Sequence, residues 1–191
     1  MCNSNLLAQI ICESRNVDAC IYHSAARSLY IFCYSTRMKI AIATGIYPPE
    51  AGGPAYYAQG LAEALRSKGH AVRTVTYGAL KKLPSGLRHF AYLLRLVPHL
   101  WRADAVIALD TFSVALPAVI ACGIFRMPLI IRTGGDFLWE AYVDRTHDPL
   151  PLPFFYEKHQ SFTRKERTIL SLTRWTLARA SVIVFSTRMQ R

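Results

Sequence analysis

From residue 38 onward, apolar runs of strand length alternate with segments whose apolar residues recur at helical spacing. Nothing else in the sequence restricts the fold so much. A helical segment between two apolar strands buries its stripe by crossing over a sheet. Such crossovers join parallel strands in a right-handed sense. Segments 39–44, 71–76, 103–109, 128–132 and 181–185 read as five strands, and 54–68, 85–102, 113–125 and a basic stretch at 162–180 read as helices. In the first helix Ala55, Ala58, Leu61, Ala62 and Leu65 share one face, with Pro54 suited to its first turn and Gly69 to its end. Residues 133–153 lack either period and read as a long loop. The expected fold is α/β, a Rossmann-like parallel sheet with helices on both faces. Ligands of such sheets lie beyond the carboxyl ends of the strands. The loops at 45–53, 77–79, 110–113 and 133–140 should therefore share one rim.

Composition fits one packed domain. The chain has 191 residues, 52% hydrophobic and 18% charged. Its net charge of +11 points to an anionic partner: a lipid surface, a phosphorylated substrate or nucleic acid. The most apolar stretch, 105–131, is broken by Asp110, Pro117, Arg126 and Pro128 and reads as buried core rather than as a membrane span. The first residues lack the charged, apolar and small-residue order expected of a secretion signal. Cys2, Cys12, Cys20 and Cys33 crowd the first 33 residues at spacings that fit no zinc site. With Cys122 they are expected as free thiols in a reducing cytoplasm. Residues 1–37 form an extension without a clean period, as a start assigned too far upstream would produce. An added helix packed on the domain is the alternative, and no function is placed there. The domain proper is 38–191.

Between the first strand and the first helix stands Gly45-Ile-Tyr-Pro-Pro-Glu-Ala-Gly-Gly-Pro54. Gly52 and Gly53 let a substrate approach the backbone, and the helix amino terminus offers N–H groups and partial positive charge to an anion. The run from Met38 through Gly78, with its Pro-Pro-x-x-Gly-Gly loop and Lys68-Gly69-His70 before the second strand, resembles the opening of glycosyltransferase family 4. The resemblance extends to about residue 191, with weak detail at 81–103 and 143–164. It implies the amino-terminal, acceptor-side half of a GT-B enzyme, with the Gly-Gly loop near the donor phosphates and the acceptor.

A second match is Arg132-Thr-Gly-Gly-Asp-Phe-Leu-Trp-Glu140, similar to the Gly-Asp-x-x-Trp-Glu segment of part of that family. It should bring Gly134, Gly135 and Asp136 to the same cleft. The resemblance puts Asp136 at the transferred sugar, where many members have His. A helix cap is the other role open to it. Trp139 is expected as a packing anchor and Glu140 as the partner of an Arg. Asp110 and Tyr47 are the candidates for the acceptor side, and Ser113 for the next helix cap.

Basic residues gather on two helices. Lys81, Lys82, Arg88, Arg95 and Arg102 interleave with Phe90, Tyr92, Leu94 and Trp101, and a second group spans 158–179. They suggest a peripheral position on an anionic membrane face, with a solvated helix surface as the plainer reading. No Asp-x-Asp, GxGxxG, P-loop or GxSxG occurs, so no metal and no cofactor is expected, and nucleic acid has only the charge in its favour. The carboxy-terminal Glu pair of the family is also missing. The resemblance thus implies the amino-terminal domain of a retaining glycosyltransferase, incomplete by itself, with a nucleotide-sugar donor and a glycan or lipid-linked acceptor. A non-catalytic acceptor- or membrane-binding subunit working with a donor domain on a separate chain, and an inactive truncated fragment, are the alternatives.

Overall fold

The computed structural model describes residues 20–23, 37–148, 150–158 and 162–186. The elements are β1 (Cys20–His23), β2 (Lys39–Thr44), α1 (Gly53–Ser67), β3 (Ala71–Thr76), a 3-10 turn (Gly78–Lys82), α2 (Ser85–Leu100), β4 (Ala105–Ala108), α3 (Ala115–Phe125), β5 (Leu129–Thr133), α4 (Phe137–Thr146), α5 (Leu152–Lys158), α6 (Arg164–Leu177) and β6 (Val182–Phe185). The sheet runs β1-β6-β5-β4-β2-β3. Strands β2 to β6 are mutually parallel. Counted among themselves they follow the order 2-1-3-4-5, the Rossmann-like α/β arrangement expected from the alternation.

Each face of the sheet has its own core. Ile40, Ile42, Ile107 and Ile130 meet Ala58, Leu61, Ala62 and Leu65 of α1. On the other face Ala41, Ala43, Val106 and Ile131 meet Tyr92, Leu96 and Leu100 of α2 and Ala118, Val119 and Cys122 of α3. β2 and β4 are buried along almost their whole length, as central strands require, while β3 at the edge is mostly open. Tyr92 is fully buried and its hydroxyl donates to the Val75 carbonyl at 2.8 Å, so it belongs to the core rather than to an exposed basic face. Burial pushes the Cys122 thiol up to about 12, and the thiol is unpaired.

Three expectations change. Residues 20–23 are strand, not part of an added helix: Cys20 pairs with Phe185 and His23 with Val182, antiparallel. The rest of 1–36 lies outside the described residues. The span 133–153 is no simple loop, because it holds all of α4 and the start of α5. The third helix starts after Ser113: Val114 is its N-cap, and no side chain sits there as a cap. No helix among the described residues is long and apolar enough to cross a membrane.

Candidate functional site

The sheet order reverses between β2 and β4, and the loops leaving these two strands flank the crevice that such a reversal opens. The first loop carries Tyr47, a cis Pro48–Pro49 bond and an ion pair from Glu50 to Lys81. It ends at Gly52, whose φ of 151° only glycine adopts without strain, and a Cβ there would lie 3.0 Å from Ile46 Cδ1. The Gly52 carbonyl accepts the N–H groups of Ala55 and Tyr56. A Cβ on Gly53 would meet nothing within 4 Å. Gly53 thus faces open space at the head of α1, where no side chain caps the helix and no acid occupies the first turn. An uncapped helix amino terminus of this kind suits an anion.

Asp110 follows β4 and turns inward. It accepts the N–H groups of Phe112 and Val114 at 3.0 Å and of Ala115 at 3.2 Å, satisfying the start of α3 from four residues upstream. Burial raises its carboxyl above the ordinary value, while the N–H groups of Val114, Ala115 and Phe112 pull it back. Tyr77, at the end of β3, donates to the Ser113 carbonyl and stacks on Tyr92 with ring centroids 4.5 Å apart. Burial, then the Asp110 charge, raises its phenol above the usual range. Asp110 and Tyr77 therefore brace the floor of the rim, and the Asp110 oxygens are engaged by backbone.

The segment after β5 lies farther along the rim. Asp136 is the N-cap of α4: one oxygen accepts from Trp139 N at 2.9 Å and the other from the Tyr156 hydroxyl at 2.7 Å. The Trp139 indole donates to the Leu150 carbonyl at 2.7 Å, the anchoring role expected of it. Glu140 differs from expectation. Among the described residues no Arg pairs with it, and its carboxyl folds against Gly135, where a Cβ would collide with Oε1. Partial burial raises that carboxyl, and the neighbouring Asp136, Asp110 and Asp144 add to the rise. A Cβ on Gly134 would likewise meet Arg132 Nη1 at 2.5 Å.

Two side chains at this rim were missed from the sequence. Arg132 lies on the α1 side of the sheet, its guanidinium 4.0 Å from the centre of the Tyr57 ring. Tyr156 belongs to α5, in a stretch without helical period, so its approach to Asp136 had no local signal. The structure thus joins Arg132, Gly134, Gly135, Asp136 and Glu140, and places Gly52 and Gly53 at the head of the helix that carries Tyr57. Among the described residues no group of three His, Cys, Asp or Glu stands close enough to hold a metal ion.

No protein-family model matches the chain, and no curated protein does. Among solved structures it is similar to glycerol dehydrogenase from Schizosaccharomyces pombe, with 14% identity and a TM-score of 0.39. That match covers 55% of this chain and 24% of the other.

Proposed function

We propose that this chain is the acceptor-side domain of a retaining, family 4-like glycosyltransferase whose donor-binding half is supplied separately. The observation that carries the reading is the open, uncapped head of α1 at Gly52-Gly53, on the rim where Gly134-Gly135-Asp136 also emerges. A sugar diphosphate there meets the Gly53 N–H and the partial positive charge of the helix, with Arg132 as a cation near Gly134; Pro54 has no N–H, and those of Ala55 and Tyr56 are engaged by the Gly52 carbonyl. Asp136, held by Trp139 N and Tyr156, presents an oriented acceptor to a sugar hydroxyl or to positive charge developing at the anomeric carbon. In the reaction the bond from the anomeric carbon to the phosphate oxygen breaks. The acceptor oxygen bonds from the same face, and the leaving phosphate takes its proton. No protein nucleophile is required. Tyr47 is assigned to the acceptor side and Asp110 to support of the floor.

A non-catalytic subunit is the second reading. It is favoured by Asp110 and Asp136 both being engaged as helix caps. The test is transfer and hydrolysis of a panel of sugar nucleotides by the purified chain, alone and with a GT-B carboxy-terminal domain added. Transfer only in the mixture, lost in Asp136→Ala, is the expected result. Transfer by the chain alone refutes the half-site, and a mixture that works equally well with Asp136→Ala favours the non-catalytic subunit.

A further inference from the structure

α2 leaves the carboxyl end of the edge strand β3 and delivers the chain to β4, with β2 lying between them in the sheet. It therefore crosses the sheet obliquely. Near its middle Tyr92 donates to the Val75 carbonyl of β3. Just past its end the Asp104 N–H donates to the Lys39 carbonyl of β2. The α2 side of β3 is thus covered at one end only. On that side Val75 is buried, whereas Arg73 and Ala71, earlier along the strand, are exposed. Register sets Ala71 beside Lys39 and Arg73 beside Ala41, so the Lys39 and Arg73 side chains stand on the uncovered side.

The uncovered corner is a pocket of about 430 Å³ at the amino ends of β2 and β3. Six residues of its lining can donate to an anion: Lys39, Arg66, Arg73, Arg102, His70 and His99. No Asp or Glu belongs to the lining, and residues 64–103 contain none. Among the described residues no carboxylate pairs with any of the four cations. Asp104 lies just outside, with one oxygen engaged by the Lys39 backbone N–H at 2.7 Å. The carboxyl ends of α1 and α2 add about half a negative charge each, against four full positive charges.

Two of the donors are held in place. Arg66 donates through Nη2 to the Val72 carbonyl at 3.2 Å and keeps its other N–H groups for a ligand. His70 is 8% exposed, and its Nδ1 accepts the Met38 N–H at 3.2 Å. Its ring therefore carries a hydrogen on Nε2 and acts as a donor there. The His99 Nδ1 in the wall is buried without a hydrogen-bond partner, a need that a ligand oxygen can meet.

We propose that this pocket binds a small phosphate monoester. Nearly two charges on one phosphate suit cations that converge from β2, β3 and the ends of α1 and α2. Planar guanidinium forks fit phosphate oxygens. The volume is in the range of small-molecule sites, and Ala41, Ala71, Val72 and Ala103 give the organic part an apolar wall. A diphosphate substituted at both ends, as in a sugar nucleotide, spreads its charge over two groups and fits less well. The length of β2 separates the pocket from the rim by roughly 17 Å. This site does not depend on the sugar-transfer reading, and its binding is measured without transfer.

The test is calorimetric titration of the full chain, in phosphate-free buffer of about 0.15 M ionic strength, with phenyl phosphate, inorganic phosphate and phenol. Phenyl phosphate should bind one to one with a Kd of about 1 mM or tighter, inorganic phosphate about tenfold more weakly, and phenol not at all. N–H chemical shifts of the isotope-labelled chain should move most at Lys39, Ala71, Val72 and Arg73. Arg73→Gln/Arg102→Gln should weaken binding about tenfold or more. Arg164→Gln/Lys165→Gln, on α6 and outside the lining, should leave it unchanged. Circular dichroism checks each variant, and the shift map of the unaltered chain stands by itself if a variant misfolds. No binding of phenyl phosphate, equal binding of inorganic phosphate, shifts scattered over the basic surface or centred on the rim, or equal weakening in the two double variants would each overturn the proposal. Single-stranded RNA that binds with the same shifts and excludes phenyl phosphate at lower concentration would assign the corner to nucleic acid instead.

Discussion

Replacing Asp110 by Ala tests whether the floor of the rim is held by one buried carboxylate. The substitution removes the acceptor shared by the N–H groups of Phe112, Val114 and Ala115. No other side chain caps α3. Loss of a helix cap costs about 0.5–2 kcal/mol, and a buried N–H left unpaired costs about 1–3 kcal/mol. Water admitted to the space left by the carboxylate recovers part of this, leaving a net loss of about 1–4 kcal/mol. With a urea slope of about 2 kcal/mol/M, the unfolding midpoint at neutral pH should fall by roughly 0.5–2 M. The pH dependence has a definite sign. Burial raises the native carboxyl above its ordinary value of 3.8, so the native state holds this proton to higher pH than the unfolded chain. That contribution is fully present below pH 3.8 and is lost as pH rises through the native value. The variant lacks it, so the stability gap between parent and variant should narrow from acid toward neutral pH. Urea titrations followed by circular dichroism at several pH values provide the assay. A midpoint shift below about 0.3 M at neutral pH, or a gap that widens with pH, would show that Asp110 does not hold the floor.

Gly52→Ala and Gly53→Ala separate fold from function. Gly52→Ala should lower stability by about 1–3 kcal/mol in thermal unfolding, since φ is 151° and Ile46 stands in the way. Gly53→Ala should leave the thermal midpoint within a degree or two yet reduce sugar transfer by on the order of tenfold or more, because its Cβ fills only the space assigned to substrate. Tyr156→Phe removes the donor to Asp136 Oδ2 and should cost about 1 kcal/mol in urea unfolding, with α5 more open to proteolysis. Glu166→Gln should cost about 0.5 kcal/mol at neutral pH. The Thr163 N–H and hydroxyl lower the native Glu166 pKa, so this stabilisation is present above the ordinary value of 4.5 and is lost as pH falls through the native value. Parent and variant should therefore converge in acid unfolding titrations.

The strands β2, β4, β5 and β6 were legible because each centres on a run of apolar residues, and burial between two helix layers demands such runs; the edge strand β3 carries Arg73, Thr74 and Thr76 and was legible from its place after the Gly69 that ends α1. α1 was legible from the spacing of Ala55, Ala58, Leu61, Ala62 and Leu65, all of which are buried. α4 was not: Leu138 is the single buried residue recorded along it, so it has no stripe to read, and what fixes it is the Asp136 cap and the Trp139 anchor. β1 was hidden for another reason. Its partner β6 lies more than 150 residues downstream, and Cys-Ile-Tyr-His carries no alternation of its own. At the rim the glycines and Asp136 stood out in the sequence. Arg132 over Tyr57, Tyr156 on Asp136 and Glu140 against Gly135 depend on which helices meet, and local spacing does not encode that.

Binding of a sugar diphosphate at the head of α1 is measured by N–H chemical shifts of the isotope-labelled chain, titrated with a panel of sugar nucleotides. The largest shifts are expected on the amides of Gly52, Gly53, Gly134 and Gly135 and on the Arg132 guanidinium N–H. Shifts gathered instead around Lys39, Arg66, Arg73 and Arg102 at the opposite end of the sheet, or none with any member of the panel at saturating concentration, would contradict binding at the head of α1.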